Sequence, residues 1–211
     1  MAFLTRYQNG AYAAEYRAYV DKVRAAEFPF ASTLLTEAVA RYLFKLMAYK
    51  DEYEVARLHT DPDFVAKIET MFEGEFRLVH HLAPPLFARR NEQGEPVKRP
   101  FGRWIRGAFR ILALLRGLRG TALDPFGRTA ERRTERALIA EYRACIDELL
   151  PALSNPNLAA AVEIASLPEG IRGYGHVKSR HLEAVRARWS DLMAQWGRGE
   201  RTAPQQKEAA A

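Results

Sequence analysis

The sequence predicts a mainly α fold: a multi-helix domain organised around one long central helix, with a short strand or hairpin near 76–99. Three observations predict it. From Leu34 to His59 the residues Leu35, Val39, Tyr42, Leu46, Tyr49, Tyr53 and Ala56 repeat at steps of four and three, the spacing of one stripe on an α-helix. Twice a polar residue precedes a proline at the head of an apolar run, at Asp61-Pro62 and Asn155-Pro156, which is the chemistry of a helix start. Between Phe76 and Leu82 the period changes to two: Phe76, Leu78, His80 and Leu82 alternate with Arg77, Val79 and His81, as in an extended segment.

Taken in order, Tyr12, Tyr16, Tyr19, Val20 and Val23 make the apolar side of a first amphipathic helix over Ala11 to Ala26. Phe28-Pro29-Phe30 breaks it, and Ser32 or Thr33 is placed to cap the long helix, whose first turns hold Glu37 where the helix dipole favours an anion. Phe44 and Val55 project away from the main stripe, which predicts cover on more than one side. The helix opened by Asp61-Pro62 buries Phe64, Ile68, Met71 and Phe72 and stops at Gly74. Pro84-Pro85 ends the extended segment, and the polar run from Asn91 to Pro96 returns the chain through Val97 to Arg99 as a hairpin. Trp104, Ala108, Ile111, Leu115 and Leu118 form the stripe of the next helix, ended by Gly117 and Gly120. After the turn Asp124-Pro125-Phe126-Gly127, Thr129 caps a helix carrying Leu138, Tyr142, Cys145, Ile146 and Leu149. Asn155-Pro156 opens a helix with Leu158, Val162 and Ala165 inward, closed by Pro168. A glycine-rich link, Gly170 to Gly175, leads to a last helix whose stripe is Leu182, Val185, Trp189, Leu192 and Trp196. Residues 1–196 thus read as a single helical domain, and 197–211, without apolar periodicity, as a disordered tail.

Composition bounds the function. Hydrophobic residues at 48% and charged residues at 27% match ordinary globular usage, so the chain has the means to bury a core. No apolar run reaches the ~20 residues of a membrane span and the N-terminus lacks a signal-peptide layout, so a cytoplasmic protein without membrane contact is expected. The single cysteine, Cys145, excludes an intrachain disulfide and an iron–sulfur cluster held by this chain alone. Between Ala88 and Arg128 ten Lys or Arg face three acidic residues, an excess larger than the net +6 of the whole chain. The basic character therefore belongs to one segment, which a solvated face explains and which also suits an acidic partner, a phosphate-bearing ligand or nucleic acid.

The residues that invite a chemical role are few. Adjacent strand residues face opposite sides, so His80 and His81 do not share one metal ion; packing accounts for each, and each is also a ligand-binding candidate. His176 and His181 lie five apart, about 140° around a helix, and are no better as a pair. His59 ends a helix, where the dipole favours a partly protonated imidazole. Cys145, on an apolar stripe, reads as a buried, inert thiol. Gly117-Leu118-Arg119-Gly120 has the GXXG form of KH RNA-binding loops without the strands that form requires, and a helix C-cap explains its glycines. Arg103, Arg106 and Arg110 share one face of two helical turns and, with Arg89, are candidates to hold phosphates. No nucleophile with a matched base, Walker loop or zinc spacing is present, so no catalytic residue and no metal set is assigned.

Five stretches resemble the C-terminal region of the single-chain bacterial indolepyruvate ferredoxin oxidoreductase. They are AYAAEYRAYVDKVRAAE at Ala11 to Glu27, LTEAVARYLFKLMAYKDEYEVARLHTDPDF at Leu35 to Phe64, FRLVHHLAPPLFARR at Phe76 to Arg90, RGLRGTALDPFGRTAERRTERALIAEY at Arg116 to Tyr142, and SLPEGIRGYGHVKSRHLEAVRARW at Ser166 to Trp189. They occur in the same order over almost all of Phe3 to Trp196. The resemblance implies a 2-oxoacid:ferredoxin oxidoreductase, in which thiamine diphosphate decarboxylates an aryl pyruvate, iron–sulfur clusters pass electrons to ferredoxin, and an arylacetyl-CoA forms. This chain departs from that pattern: it has no GDG thiamine-diphosphate motif, and one cysteine replaces none of the cluster-binding sets. The expectation is therefore an accessory piece of the enzyme, inactive and without cofactor by itself, partnered by the catalytic domains or subunit and only indirectly by ferredoxin. Its basic segment from Arg89 to Arg110 is the expected contact for CoA phosphates. The rival expectation is a stand-alone binding module that uses residues 88–128 to hold an acidic protein or, less favoured, nucleic acid, with the steep salt dependence that such binding carries.

Overall fold

The computed structural model describes residues 1–74, 77–83 and 97–199. It is mainly α, as the sequence predicts, with one two-stranded antiparallel sheet among the described residues. By its contacts the chain gathers into two compact units. The first comprises Met1–Thr5, Gly10–Ala48 and the chain from Arg133 on; the second comprises Arg6–Asn9 and Tyr49–Arg132. The sequence reading draws no boundary within 1–196, and none is marked by composition, because each unit is assembled from stretches far apart in the chain. The expected tail begins at the end of a helix that runs to Gly197, and residues from 200 on lie outside the described ones.

The stretch Leu34 to His59 is two helices rather than one. Helix α3 (Leu34–Met47) ends at Ala48, and α4 (Glu52–Thr60) begins after Asp51, whose carboxylate accepts from the Glu54 N–H at 2.9 Å. Asp51 is the physical cause: a capping acid held in the extended conformation stops one helix and starts the next. The single stripe read from the spacing is therefore shared, with Leu35 to Leu46 belonging to the first unit and Tyr49, Tyr53 and Ala56 to the second.

In the first unit α1 (Ala2–Tyr7), which the periodicity did not announce, supplies Leu4, and α2 (Gly10–Glu27) packs along α3. Helices α7 (Ala130–Leu149), α8 (Leu158–Ser166) and α9 (Gly175–Gly197) complete it. Leu35, Val39 and Leu43 are fully buried against α2 on one side and α8 on another, which confirms cover on more than one side of α3. Each such side chain contributes ~1.5–3 kcal/mol of burial. Tyrosines of the core and its edge keep their hydroxyls paired: half-buried Tyr12 donates to the Met47 carbonyl at 3.0 Å and half-buried Tyr16 to that of Ala40 at 2.9 Å, and buried Tyr142 to that of Ala165 at 2.9 Å. Of the two residues expected to cap α3, Thr33 makes no cap bond and the Ser32 hydroxyl accepts from Leu34 N–H at 3.2 Å; the fully buried carboxylate of Glu27 accepts from Leu35 N–H at 2.9 Å, Thr36 N–H at 2.8 Å and Thr36 O–H at 2.6 Å. The capping acid thus comes from the end of the preceding helix.

In the second unit α5 (Pro62–Met71) starts as predicted, with Asp61 accepting from Asp63 N–H at 3.0 Å. Its expected buried face is not buried: Phe64, Met71 and Phe72 are exposed, because α4 is the chief element packed on it. Strand β1 (His80–Leu82) pairs antiparallel with β2 (Arg99–Phe101), His80 opposite Phe101. Phe76, Pro84-Pro85 and the turn from Asn91 to Pro96 lie outside the described residues. Helix α6 (Ile105–Leu114) packs on α4 through Ile105, Phe109 and Ala113, together with Ala56. The predicted stripe faces outward instead, with Trp104 66% and Ile111 63% exposed. This helix carries apolar residues on two faces, so spacing admits two stripes and only the neighbour α4 selects between them. Arg119 and Asp51 form a buried ion pair, Nε to Oδ2 at 2.5 Å and Nη2 to Oδ1 at 2.9 Å, with the guanidinium 3.6 Å from the centre of the Tyr7 ring. Asp124 accepts from the N–H of Gly120 and Gly127 and from the Tyr53 hydroxyl; burial alone raises a carboxyl's pKa, but these donors hold it below the usual range.

Candidate functional site

The residues with chemical potential converge in the second unit around His59, near the end of α4. Its ring stacks on Phe109 of α6 at 5.5 Å between centroids and 20° between planes. His80 of β1 meets it edge-on at 5.0 Å, and Phe64 of α5 does so at 5.8 Å. His80 in turn stands edge-on to Phe109 at 5.6 Å. Four elements thus build an aromatic box, to which α5 contributes the exposed Phe64. Arg106, one turn before the end of the face that carries Phe109, is half-buried beside it.

Behind this box lies a cavity of about 190 Å³. Phe64, Val65, Ile68, Leu78 and Val79 give it apolar walls. His59, His80 and Arg106 give it its polar groups. His59 Nδ1 and His80 Nε2 are both buried and have no hydrogen-bond partner. A buried polar nitrogen without a partner costs ~1–3 kcal/mol, so these two atoms mark the site out from an ordinary packed core. Burial lowers the pKa of both imidazoles; His80 adds to the effect on His59, and Arg106 adds to it on His80. Both rings are therefore neutral near pH 7, each holding one N–H and one lone pair. This desolvation opposes the protonation of His59 that a helix end favours.

The predicted candidates divide. His80 and Arg106 meet at the cavity. His81 points to the opposite, exposed side of β1, across from Pro100, as strand alternation requires. Arg103 and Arg110 are exposed and Arg89 lies outside the described residues. Sequence reasoning missed His59, Phe64 and Phe109 as members; they come from three helices, and no spacing links them. Cys145, in the first unit, is half-buried, accepts from Trp189 Nε1–H at 2.7 Å, and burial pushes its thiol up to about 11. That is the inert thiol the sequence suggests.

The described residues offer no ligand set for an iron–sulfur cluster. Among the described residues no three His, Cys, Asp or Glu side chains group as metal ligands, and the lone cysteine is protonated and engaged with Trp189. No helix among them is long and apolar enough to cross a membrane. A family model matches residues 1–191, nearly the whole described chain, and its description is a family of unknown function, DUF6537. No curated protein and no solved structure matches the chain.

Proposed function

The chain belongs to the family of unknown function DUF6537, and we propose that it is the accessory C-terminal piece of an indolepyruvate:ferredoxin oxidoreductase, non-catalytic by itself. One observation carries this reading: the ordered resemblance from Ala11 to Trp189 in a chain that has one cysteine and no thiamine-diphosphate motif. On this reading a cytoplasmic catalytic chain or domain holds thiamine diphosphate and the iron–sulfur clusters, decarboxylates the aryl pyruvate and sends electrons to ferredoxin. This chain serves assembly or enclosure.

The outward face of α6 supports such a role. Trp104, Ile111 and Leu114, the last 77% exposed, stand beside the exposed Arg103 and Arg110, and from Val97 to Leu123 there is no acidic residue. An apolar centre with an aromatic and arginines at its edge is the composition of a protein–protein contact, and its charge suits an acidic partner surface. The exposed arginines Arg103 and Arg110 are also where CoA phosphates would meet this chain. The test is turnover of indolepyruvate with ferredoxin as acceptor. The purified chain alone is expected to give none, and a catalytic fragment lacking this region is expected to regain activity when the chain is added. Turnover by the chain alone overturns the reading.

A further inference from the structure

The geometry points to a second property, independent of the oxidoreductase reading: we propose that the cavity beside His59, His80 and Arg106 binds a small monocarboxylic acid with a single-ring or similarly compact apolar body. Three observations set the class of ligand. The first is charge. Arg106 lines the cavity, its guanidinium forms no ion pair or hydrogen bond among the described residues, and it is the one formal charge among the lining side chains. A guanidinium facing apolar walls recognises a carboxylate, to which it presents paired N–H donors.

The second is the pair of unsatisfied nitrogens, His59 Nδ1 and His80 Nε2. A neutral imidazole offers either a donor or an acceptor at the free nitrogen, depending on its tautomer. A carboxylate held by Arg106 lies next to these two imidazoles, which are the cavity's other polar groups. A metal ion is disfavoured at the same atoms, because the cavity wall holds a guanidinium and no carboxylate or thiol to offset the charge. Inorganic phosphate is disfavoured as well: a dianion meets one cation and five apolar side chains, and its desolvation is left largely uncompensated.

The third is size. A cavity of about 150 Å³ lined by apolar side chains accommodates benzene, so about 190 Å³ has room for one ring and a carboxylate, and is below the ~300 Å³ at which drug-sized ligands begin. The His59 ring, already stacked on Phe109, and the edges of Phe64 and His80 supply further aromatic surface for the ring of such a ligand.

The experiment titrates the full chain with benzoate and phenylacetate and follows the imidazole resonances of His59 and His80 by NMR, with the exposed His176 and His181 as internal references. Saturable shifts of His59 and His80 alone are expected with either acid. Arg106→Gln, at a half-exposed position that does not threaten folding, is expected to weaken binding at least tenfold, whereas Arg106→Lys retains part of it. Toluene, which lacks the carboxylate, is expected to bind the wild type and Arg106→Gln equally, and inorganic phosphate is expected to leave both resonances unmoved. Ile68→Trp, which fills the cavity, is expected to abolish the response to both acids and to toluene. The absence of a saturable shift with either acid, equal affinity for benzoate in the wild type and Arg106→Gln, or a shift with phosphate as large as that with benzoate overturns the proposal. Failure of this binding leaves the oxidoreductase reading untouched, since that reading is decided by turnover and not by these resonances.

Discussion

Arg119→Met is the substitution whose cost the structure fixes most closely. Arg119 is 5% exposed and spends its donors on Asp51, through Nε and Nη2, and on the Tyr7 carbonyl. Its guanidinium also lies over the Tyr7 ring. Methionine keeps most of the aliphatic stem and removes the charge, so packing changes little while the Asp51 carboxylate is left buried with only the Glu54 N–H. Breaking a buried ion pair from one side costs about 3–5 kcal/mol, and the lost cation–ring contact adds about 0.5–2 kcal/mol. Set against a total stability of about 5–15 kcal/mol, this is a large fraction. At 1.4 kcal/mol per tenfold, this total of about 3.5–7 kcal/mol raises opening of the second unit by roughly two and a half to five orders of magnitude. Hydrogen exchange followed by mass spectrometry over Tyr49 to Thr60 reads this directly, with peptides from α9 as the comparison. The partner variant completes the cycle: Asp51→Asn keeps an acceptor for the Glu54 N–H and removes the orphaned charge. The double variant is therefore expected to be more protected than Arg119→Met alone. Unchanged exchange over α4 in Arg119→Met, or a double variant worse than both single ones, refutes the assignment of Asp51 and Arg119 as the keystone of this unit.

Three further outcomes follow from the same structure. Glu27→Ala strips the cap from α3 and leaves two backbone donors and the Thr36 hydroxyl without their acceptor, an expected loss of about 2–4 kcal/mol in urea unfolding; Glu27→Gln, which keeps one accepting oxygen, is expected to lose less than half of that. Burial raises the Glu27 pKa, but the donors from Thr36, Leu35 and Ser32 outweigh it and hold the carboxyl below 4.5, so its contribution is full above that value and disappears as the pH falls through the lower folded value. His59 and His80 run the opposite way in charge but the same way in pH: the unfolded chain takes up their protons more readily, so stability is full above about pH 6.5 and falls as the pH drops through it. Urea midpoints at about pH 7 and 5 read this slope, and His80→Gln is expected to reduce it. Cys145, with its thiol pushed up to about 11 from 9.0, is expected to be alkylated about a hundredfold more slowly at neutral pH than in the urea-unfolded chain; equal rates remove the burial argument.

The helices with a single apolar stripe were legible from sequence. For α7 and α9, Leu138, Tyr142 and Ile146, and Leu182, Val185, Trp189 and Leu192, are buried where the 3.6 period puts them. The breaks that do not use glycine or proline were not legible. Ala48 to Asp51 contains neither, and Asp51 becomes a helix stop because it caps α4 and is met by Arg119 from a remote part of the chain. The same remoteness hid the cap on α3, since Glu27 precedes the helix it serves by a full turn and a proline. For α6 the difficulty was ambiguity: Ile105, Phe109 and Ala113 form one valid stripe, and Trp104, Ile111 and Leu115 form another. Of the site, His80 and Arg106 were visible as residue types, whereas the constellation with His59 and Phe109 exists only once α4, β1 and α6 have packed.

Association decides most directly whether this chain works, as proposed, as a piece of a larger oxidoreductase rather than as an enzyme or a nucleic-acid binder. The measurement is sedimentation of the chain with a catalytic fragment that carries the thiamine-diphosphate and iron–sulfur motifs and lacks this region. A one-to-one complex is expected, which Trp104→Asp combined with Ile111→Asp disrupts without unfolding either partner. Independent sedimentation of the two at concentrations where indolepyruvate turnover is measured, or a shift of the chain with DNA or RNA at low salt instead, would contradict it.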